Sequence, residues 1–188
     1  MKLFDMARLI ALSLVVSACA GATMVTHEYY NKDGLRKLFI YVASGRDFLT
    51  EIHGNPSGKP QAAFDASVIA AIQGSSFGRL TDFTTSPSAN TYENYRLVMV
   101  FSGGRYSGAA AVCGDVESAS LKPGAGPVGI RVGFCYRDET LSRLNVSYTQ
   151  GSSALGAAMS QVVLNLFPRY DLSDDLCEED DPIVVSRC

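Results

Sequence analysis

Along the chain, apolar positions alternate with polar ones in some stretches and run unbroken in others, and in two stretches they follow the period of a helix. Thr23 to Tyr30 reads as a short strand. Asn31-Lys32-Asp33-Gly34 follows, and Asp-Gly is a hairpin signal because its residues accept the positive φ of a tight turn. Leu38-Phe39-Ile40-Tyr41-Val42 is apolar on both faces, as in a central strand. Phe48 to His53 is extended, and Gly54-Asn55-Pro56-Ser57-Gly58 breaks the pattern. A helix is predicted from Pro60 to Gln73, with Phe64, Val68, Ala71 and Ile72 on one face and Gly74 ending it. Asp82 to Thr85 is a short strand and Ser86 to Asn90 a loop. Tyr95 to Phe101 is a strong strand, and a further one runs from Ala109 to Cys113. Ser118 to Gly126 reads as a loop. Ile130 to Tyr136 alternates cleanly, as do Leu144, Val146 and Tyr148. A last helix, from about Ser153 to Phe167, carries the stripe Leu155, Ala158, Met159, Val162, Val163 and Leu166, and Pro168 closes it.

Two amphipathic helices need a surface on which to bury their stripes, and the strands supply one. The expected fold is α+β, a two-layer sandwich in which a mostly antiparallel sheet carries both helices on one face.

The first residues follow a different logic. Lys2 and Arg8 flank Asp5 in a weakly basic start, and Leu9 to Val16 is an apolar run of eight. A spanning helix needs roughly 20 apolar residues, so this run fits the apolar part of a signal peptide. Val16-Ser17-Ala18-Cys19 then resembles the lipobox of bacterial lipoproteins. That resemblance implies cleavage after Ala18 and acylation of Cys19, which anchors the protein to a lipid bilayer facing the periplasm. Each buried CH₂ contributes about 0.8 kcal/mol, and two or three chains make such an anchor effectively permanent. Ala20 after the cysteine, in place of Asp, resembles outer-membrane sorting. The rival reading is ordinary secretion with Cys19 a plain thiol. The chain divides into a signal peptide (1–18), a lipidated start and tether (19–22), a globular domain (23–172) and an acidic tail (173–188).

Losing Lys2, Asp5 and Arg8 with the leader moves the net charge from −3 to −4. A mildly acidic body argues against nucleic acid as a partner. Beyond Cys19 there are four cysteines, Cys113, Cys135, Cys177 and Cys188, an even number that suggests two disulfides in an oxidising compartment. Of the three possible pairings, Cys113–Cys135 and Cys177–Cys188 are the expected ones. The first pair lies in two apparent strands around a Gly- and Pro-rich loop, and the second brackets a polar tail. Loops of that length give about 2.5–3.5 kcal/mol of stabilisation in the chain-entropy account.

Candidate chemistry is sparse. Gly74-Ser75-Ser76-Phe77-Gly78 matches a hydrolase elbow, but it follows a helix, and both His27 and His53 precede Ser76. Gly124-Ala125-Gly126-Pro127-Val128-Gly129 matches a dinucleotide fingerprint but precedes a strand, and Pro127 removes a donor. Asp174 to Asp181 holds six carboxylates without the spacing or turn glycine of a calcium loop, and reads as a solvated acidic segment. Asn145-Val146-Ser147 fits a glycosylation sequon that means little in a bacterial envelope. His53 near Asp47 and Glu51 is the best acid–base candidate, although alternation makes Glu51 and His53 an ordinary same-face polar pair. Tyr29, Tyr30, Tyr41, Tyr92, Tyr95, Tyr106 and Tyr136 are numerous enough to line a binding groove, with sheet packing the default. No metal, cofactor or catalytic set is expected.

The body as a whole is similar to small proteobacterial envelope lipoproteins. In element order alone it resembles the lipoprotein partner of the outer-membrane lipopolysaccharide-assembly machine, a likeness that carries over no residue. These resemblances imply a non-enzymatic binding or assembly factor with an envelope protein or polymer as partner. The alternatives are an anchored hydrolase of wall or lipid, and a small-ligand carrier.

Overall fold

A computed structural model describes residues 24–29, 34–75, 80–103, 112–114, 116, 127–149 and 152–167. Within them the strands are β1 (Met24–Tyr29), β2 (Asp47–His53), β3 (Asp82–Thr84), β4 (Tyr95–Gly103), β5 (Val128–Tyr136) and β6 (Glu139–Tyr148). The helices are α1 (Leu35–Ala43), α2 (Gln61–Ile72) and α3 (Ser152–Leu166). The strands form one sheet in the order β1-β6-β5-β4-β2-β3. The pairs β1–β6, β5–β6 and β4–β5 are antiparallel, whereas β2 pairs in parallel with both β4 and β3. The fold is α+β, as the alternation and the two apolar stripes predict.

The parallel part follows from connectivity. A parallel neighbour needs a crossover, and α2 supplies it between β2 and β3. Gln73, just past α2, pins the short β3: its side-chain amide donates to the Phe83 carbonyl and the Asp82 carboxylate, both at 2.8 Å.

Leu38 to Val42 is helix α1, not a central strand. Gly34 adopts φ 77° and starts this helix, so the Asp-Gly turn signal marks a helix start and not a hairpin. Leu35, Phe39, Val42 and Ala43 are buried at spacings of four, three and one, the stripe of a helix. Tyr41 points away from them and is 68% exposed.

All three helices share one core on one face of the sheet. Phe39 is at its centre. Its ring stacks on Phe167 at 4.0 Å and meets Phe48 and Phe134 edge-on at 5.4 and 6.1 Å. The α3 stripe is buried there through Ala158, Met159, Val162, Val163 and Leu166. Alternation assigns Leu97, Met99 and Phe101 of β4, and Val128 to Phe134 at every second position of β5, to this same face.

The opposite face carries a smaller cluster in which Val112 and Cys113 lie over Val98, Val100 and Cys135. Cys113 and Cys135 form a disulfide with Cα atoms 5.6 Å apart. Only Cys135 is in a strand; Cys113 lies in a bend, so the bond fastens a covering segment to the sheet and does not join two strands. Gly133 is required beneath that segment. A Cβ there would collide with Cγ1 of Val112 and sit 3.3 Å from the Cys113 sulfur. Cys177 and Cys188, with the acidic tail, lie outside the described residues, as do Cys19 and the leader.

Candidate functional site

The sheet brings the acid–base candidates together on its outer face. Glu51 and His53 share that face, as alternation predicts, with Nε2 of His53 3.8 Å from the Glu51 carboxylate. Register places Glu51 opposite Val98, and the neighbouring Arg96 reaches the same carboxylate at 3.3 Å. Arg96 also donates to the Cys113 carbonyl at 2.7 Å and approaches Asp138 at 3.8 Å. The guanidinium thus ties the disulfide segment to the sheet, and Glu51 balances its charge. Asp47 is not in this group. It accepts the backbone N–H of Ser88 at 2.7 Å, and that hydrogen bond holds its carboxyl below the usual range. Among the described residues no three histidine, cysteine or acidic side chains converge as a metal site would require.

The first glycine motif is absorbed by the fold where it is described. Gly74 takes φ 77° just beyond α2, and the Ser75 hydroxyl donates to the Ile72 carbonyl. Ser76 to Gly78 and Gly124 to Gly126 lie outside the described residues. Asn145 of the sequon accepts from Nε of the buried Arg131 at 3.3 Å.

The tyrosines give the more distinctive arrangement. Tyr95 opens β4 and Tyr136 closes β5, and antiparallel register sets them directly opposite, with ring centroids 4.9 Å apart. Tyr92 precedes β4; its carbonyl accepts the N–H of Tyr95, and its ring meets Tyr95 edge-on at 6.5 Å. Tyr41 reaches out from α1 to within 5.5 Å of Tyr92. Two cations border the row. Arg46 lies over Tyr92 at 4.8 Å and donates to the Asn90 side chain at 3.0 Å. Arg137 lies over Tyr136 at 5.4 Å, held at φ 51° in the β5–β6 turn by the Asn94 carbonyl, which accepts its N–H at 2.7 Å.

A hydrogen bond with Tyr41, then burial, raise the Tyr92 phenol above its ordinary range; burial does the same for Tyr95. The row presents phenol hydroxyls and aromatic faces flanked by guanidinium groups. Of the seven tyrosines singled out in the sequence, the structure unites Tyr41, Tyr92, Tyr95 and Tyr136. Tyr29 lies at the far edge in β1, and Tyr30 and Tyr106 are outside the described residues. Sequence reasoning missed Arg46 and Arg137. Their only local sign is a turn next to each, at Gly45 and at the β5–β6 connection.

The row has a definite place relative to the start of the domain. Met24 of β1 pairs with Ser147, which pairs with Gly129, so the chain joins the sheet at the end where β5 begins. Tyr95 and Tyr136 are at the other end of β5, about 27 Å away at roughly 3.4 Å per residue. Near the Met24 end, between α2, α3 and the sheet, is a cavity of about 420 Å³. Phe64, Val128, Tyr148 and Leu155 form its walls, with Lys59 and Ser67 also on its lining. Burial pushes the Tyr148 phenol up to about 12.

No protein-family profile and no curated protein sequence matches this chain. Among solved structures it is similar to PelC of Paraburkholderia phytofirmans, described as a dodecamer, at 13% identity and a TM-score of 0.41, over 80% of this chain and 99% of that one. A single-substitution variant of the same PelC gives 10% identity and a TM-score of 0.43, over 79% and 100%. Likeness at that level says nothing about what this chain does.

Proposed function

We propose that this protein is a membrane-anchored lipoprotein on the periplasmic side of the envelope, more specifically the outer membrane, and acts there as a non-enzymatic binding or assembly factor. The observation that carries the binding role is the row Tyr41–Tyr92–Tyr95–Tyr136 with Arg46 and Arg137 at its borders. Tyrosine and arginine are the residue types on which protein–protein affinity concentrates. Tyrosine offers large contact area at a small entropy cost, and both supply hydrogen bonds at the wet edge. The partner class this favours is an envelope protein. A tether leading into β1, which begins at Met24, supports the same reading, because it leaves the row at the end of the sheet remote from the bilayer.

Two variants test the two parts separately. Cys19→Ser should release the protein from membranes or leave it unprocessed, and intact-mass analysis of the fractions reads this. Tyr41→Ala with Tyr92→Ala should leave the chain membrane-bound and folded while abolishing cross-linking to its partner. Unchanged cross-linking in the double variant would refute the binding role; full membrane retention of an unmodified Cys19→Ser protein would refute the anchor. Co-purification of a polysaccharide in place of a protein would overturn the partner class.

The carrier reading has its own support in the cavity between α2 and α3, whose volume falls in the range of small-molecule sites.

A further inference from the structure

We infer that the cavity between α2, α3 and the Val128–Tyr148 end of the sheet is a site for the acyl chain of a fatty-acid-like, single-chain anionic amphiphile. The walls are mostly apolar, with Phe64 from α2, Leu155 from α3, and Val128 and Tyr148 paired across β5 and β6, while Ser57, Ser67 and Lys59 are the polar members of the lining. Such a surface gains by excluding water, and a slender apolar chain is the simplest guest for a cleft of about 420 Å³ between two helices and a sheet. Lys59 is the one charged residue among the described residues that line the cavity. It is exposed to solvent, where an ammonium group keeps its hydration and meets an anionic head while the tail is buried.

Gly156 shows that the space is open. A Cβ built on it meets no atom within 4 Å. Glycine inside a helix costs about 0.8–1.0 kcal/mol relative to alanine, yet here it leaves room beside Leu155. The position in the fold favours a membrane source for the guest. Met24 joins the sheet beside Ser147, the neighbour of Tyr148. The five residue steps from Cys19 to Met24 span at most about 18 Å. This orientation rests on the lipoprotein reading; the fit of the cavity to an acyl chain does not.

The test uses membranes carrying the full chain and two photoreactive probes of equal length, a diazirine hexadecanoic acid and the corresponding hexadecanol. The acid should label peptides within residues 56–71 and 148–156. Gly156→Phe fills the cavity without loading the backbone and should lower labelling by about tenfold, a difference of 1.4 kcal/mol. Lys59→Glu should lower labelling by the acid and spare the alcohol. Labelling that survives Gly156→Phe overturns the site, and equal effects of Lys59→Glu on both probes overturn the anionic head. Labelling that appears only in Cys19→Ser would make the natural occupant the protein's own lipid and overturn the free amphiphile. Tyr41→Ala with Tyr92→Ala should leave every outcome unchanged, so failure of the partner-binding reading is read independently.

Discussion

Phe39→Ala is the sharpest test of how the three helices are joined. Phe39 is wholly buried, and its ring faces Phe48, Phe83, Phe134 and Phe167 at centroid distances of 5.4, 6.4, 6.1 and 4.0 Å. Truncating a core phenylalanine costs about 3–5 kcal/mol, the transfer term plus that of the cavity left behind. Four ring neighbours from β2, β3, β5 and the end of α3 place this site at the upper end, because none of them can collapse into the space without leaving the others. A loss near 5 kcal/mol corresponds to a fall in melting temperature of roughly 10–20 °C for a domain of this size. Phe64→Ala is the matched control. Among the described residues Phe64 meets one ring, Phe101, at 4.9 Å, and it already borders a cavity, so its loss should be about 3 kcal/mol. Ile40→Ala, on a half-buried flank of α1, should cost less than about 1.5 kcal/mol. Denaturation followed by circular dichroism ranks the three. A ranking in which Ile40→Ala equals or exceeds Phe39→Ala would refute the helical stripe and restore the strand reading of residues 38–42.

Val163→Asp puts a carboxylate on the fully buried stripe of α3 and should cost on the order of 4–5 kcal/mol or prevent folding, which a thermal melt reads directly. Gly133→Ala should destabilise by about 1–3 kcal/mol through Val112, and adding Val112→Ala should recover much of that loss in a double-mutant cycle. Tyr148 has its phenol raised from 10.0 to about 12 by burial, so the folded state favours the neutral form. That contribution is complete below pH 10 and is lost as pH rises towards 12; Tyr148→Phe should remove this part of the alkaline destabilisation, as measured by denaturation across that window.

How far the sequence was legible depends on how local each cause is. The stripe from Leu155 to Leu166 names its helix without help, because one face is buried and the other is not, whereas the alternation of Ile130 to Tyr136 marks a strand even though both faces of β5 are buried, Cys135 on the second under Val112 and Cys113. Residues 38–42 mislead because they are apolar at every position. The information that makes them helical lies at Leu35 and Ala43, at the ends of the run, and in the positive φ of Gly34. The disulfide partners follow from spacing and composition, but not the bend that carries Cys113 over Gly133, which depends on a residue without a side chain twenty positions later. The tyrosine row was visible only as an abundance. Its assembly needs the register that sets Tyr95 against Tyr136 and the docking of α1 that brings Tyr41 to Tyr92, and neither is encoded near those residues. The cavity had no sequence signature at all, since its walls come from α2, α3, β5 and β6 together.

The central claim, that the tyrosine row is the working surface, is tested most directly by photo-cross-linking in intact cells. A photoreactive amino acid is placed in turn at Tyr41, which is 68% exposed within the row, and at Gln61, exposed at the start of α2. The account predicts a discrete protein adduct from position 41 that Arg46→Ala weakens and Tyr92→Ala abolishes, and no such adduct from position 61. Adducts of equal yield from both positions, or an adduct from position 41 indifferent to Arg46 and Tyr92, would contradict it.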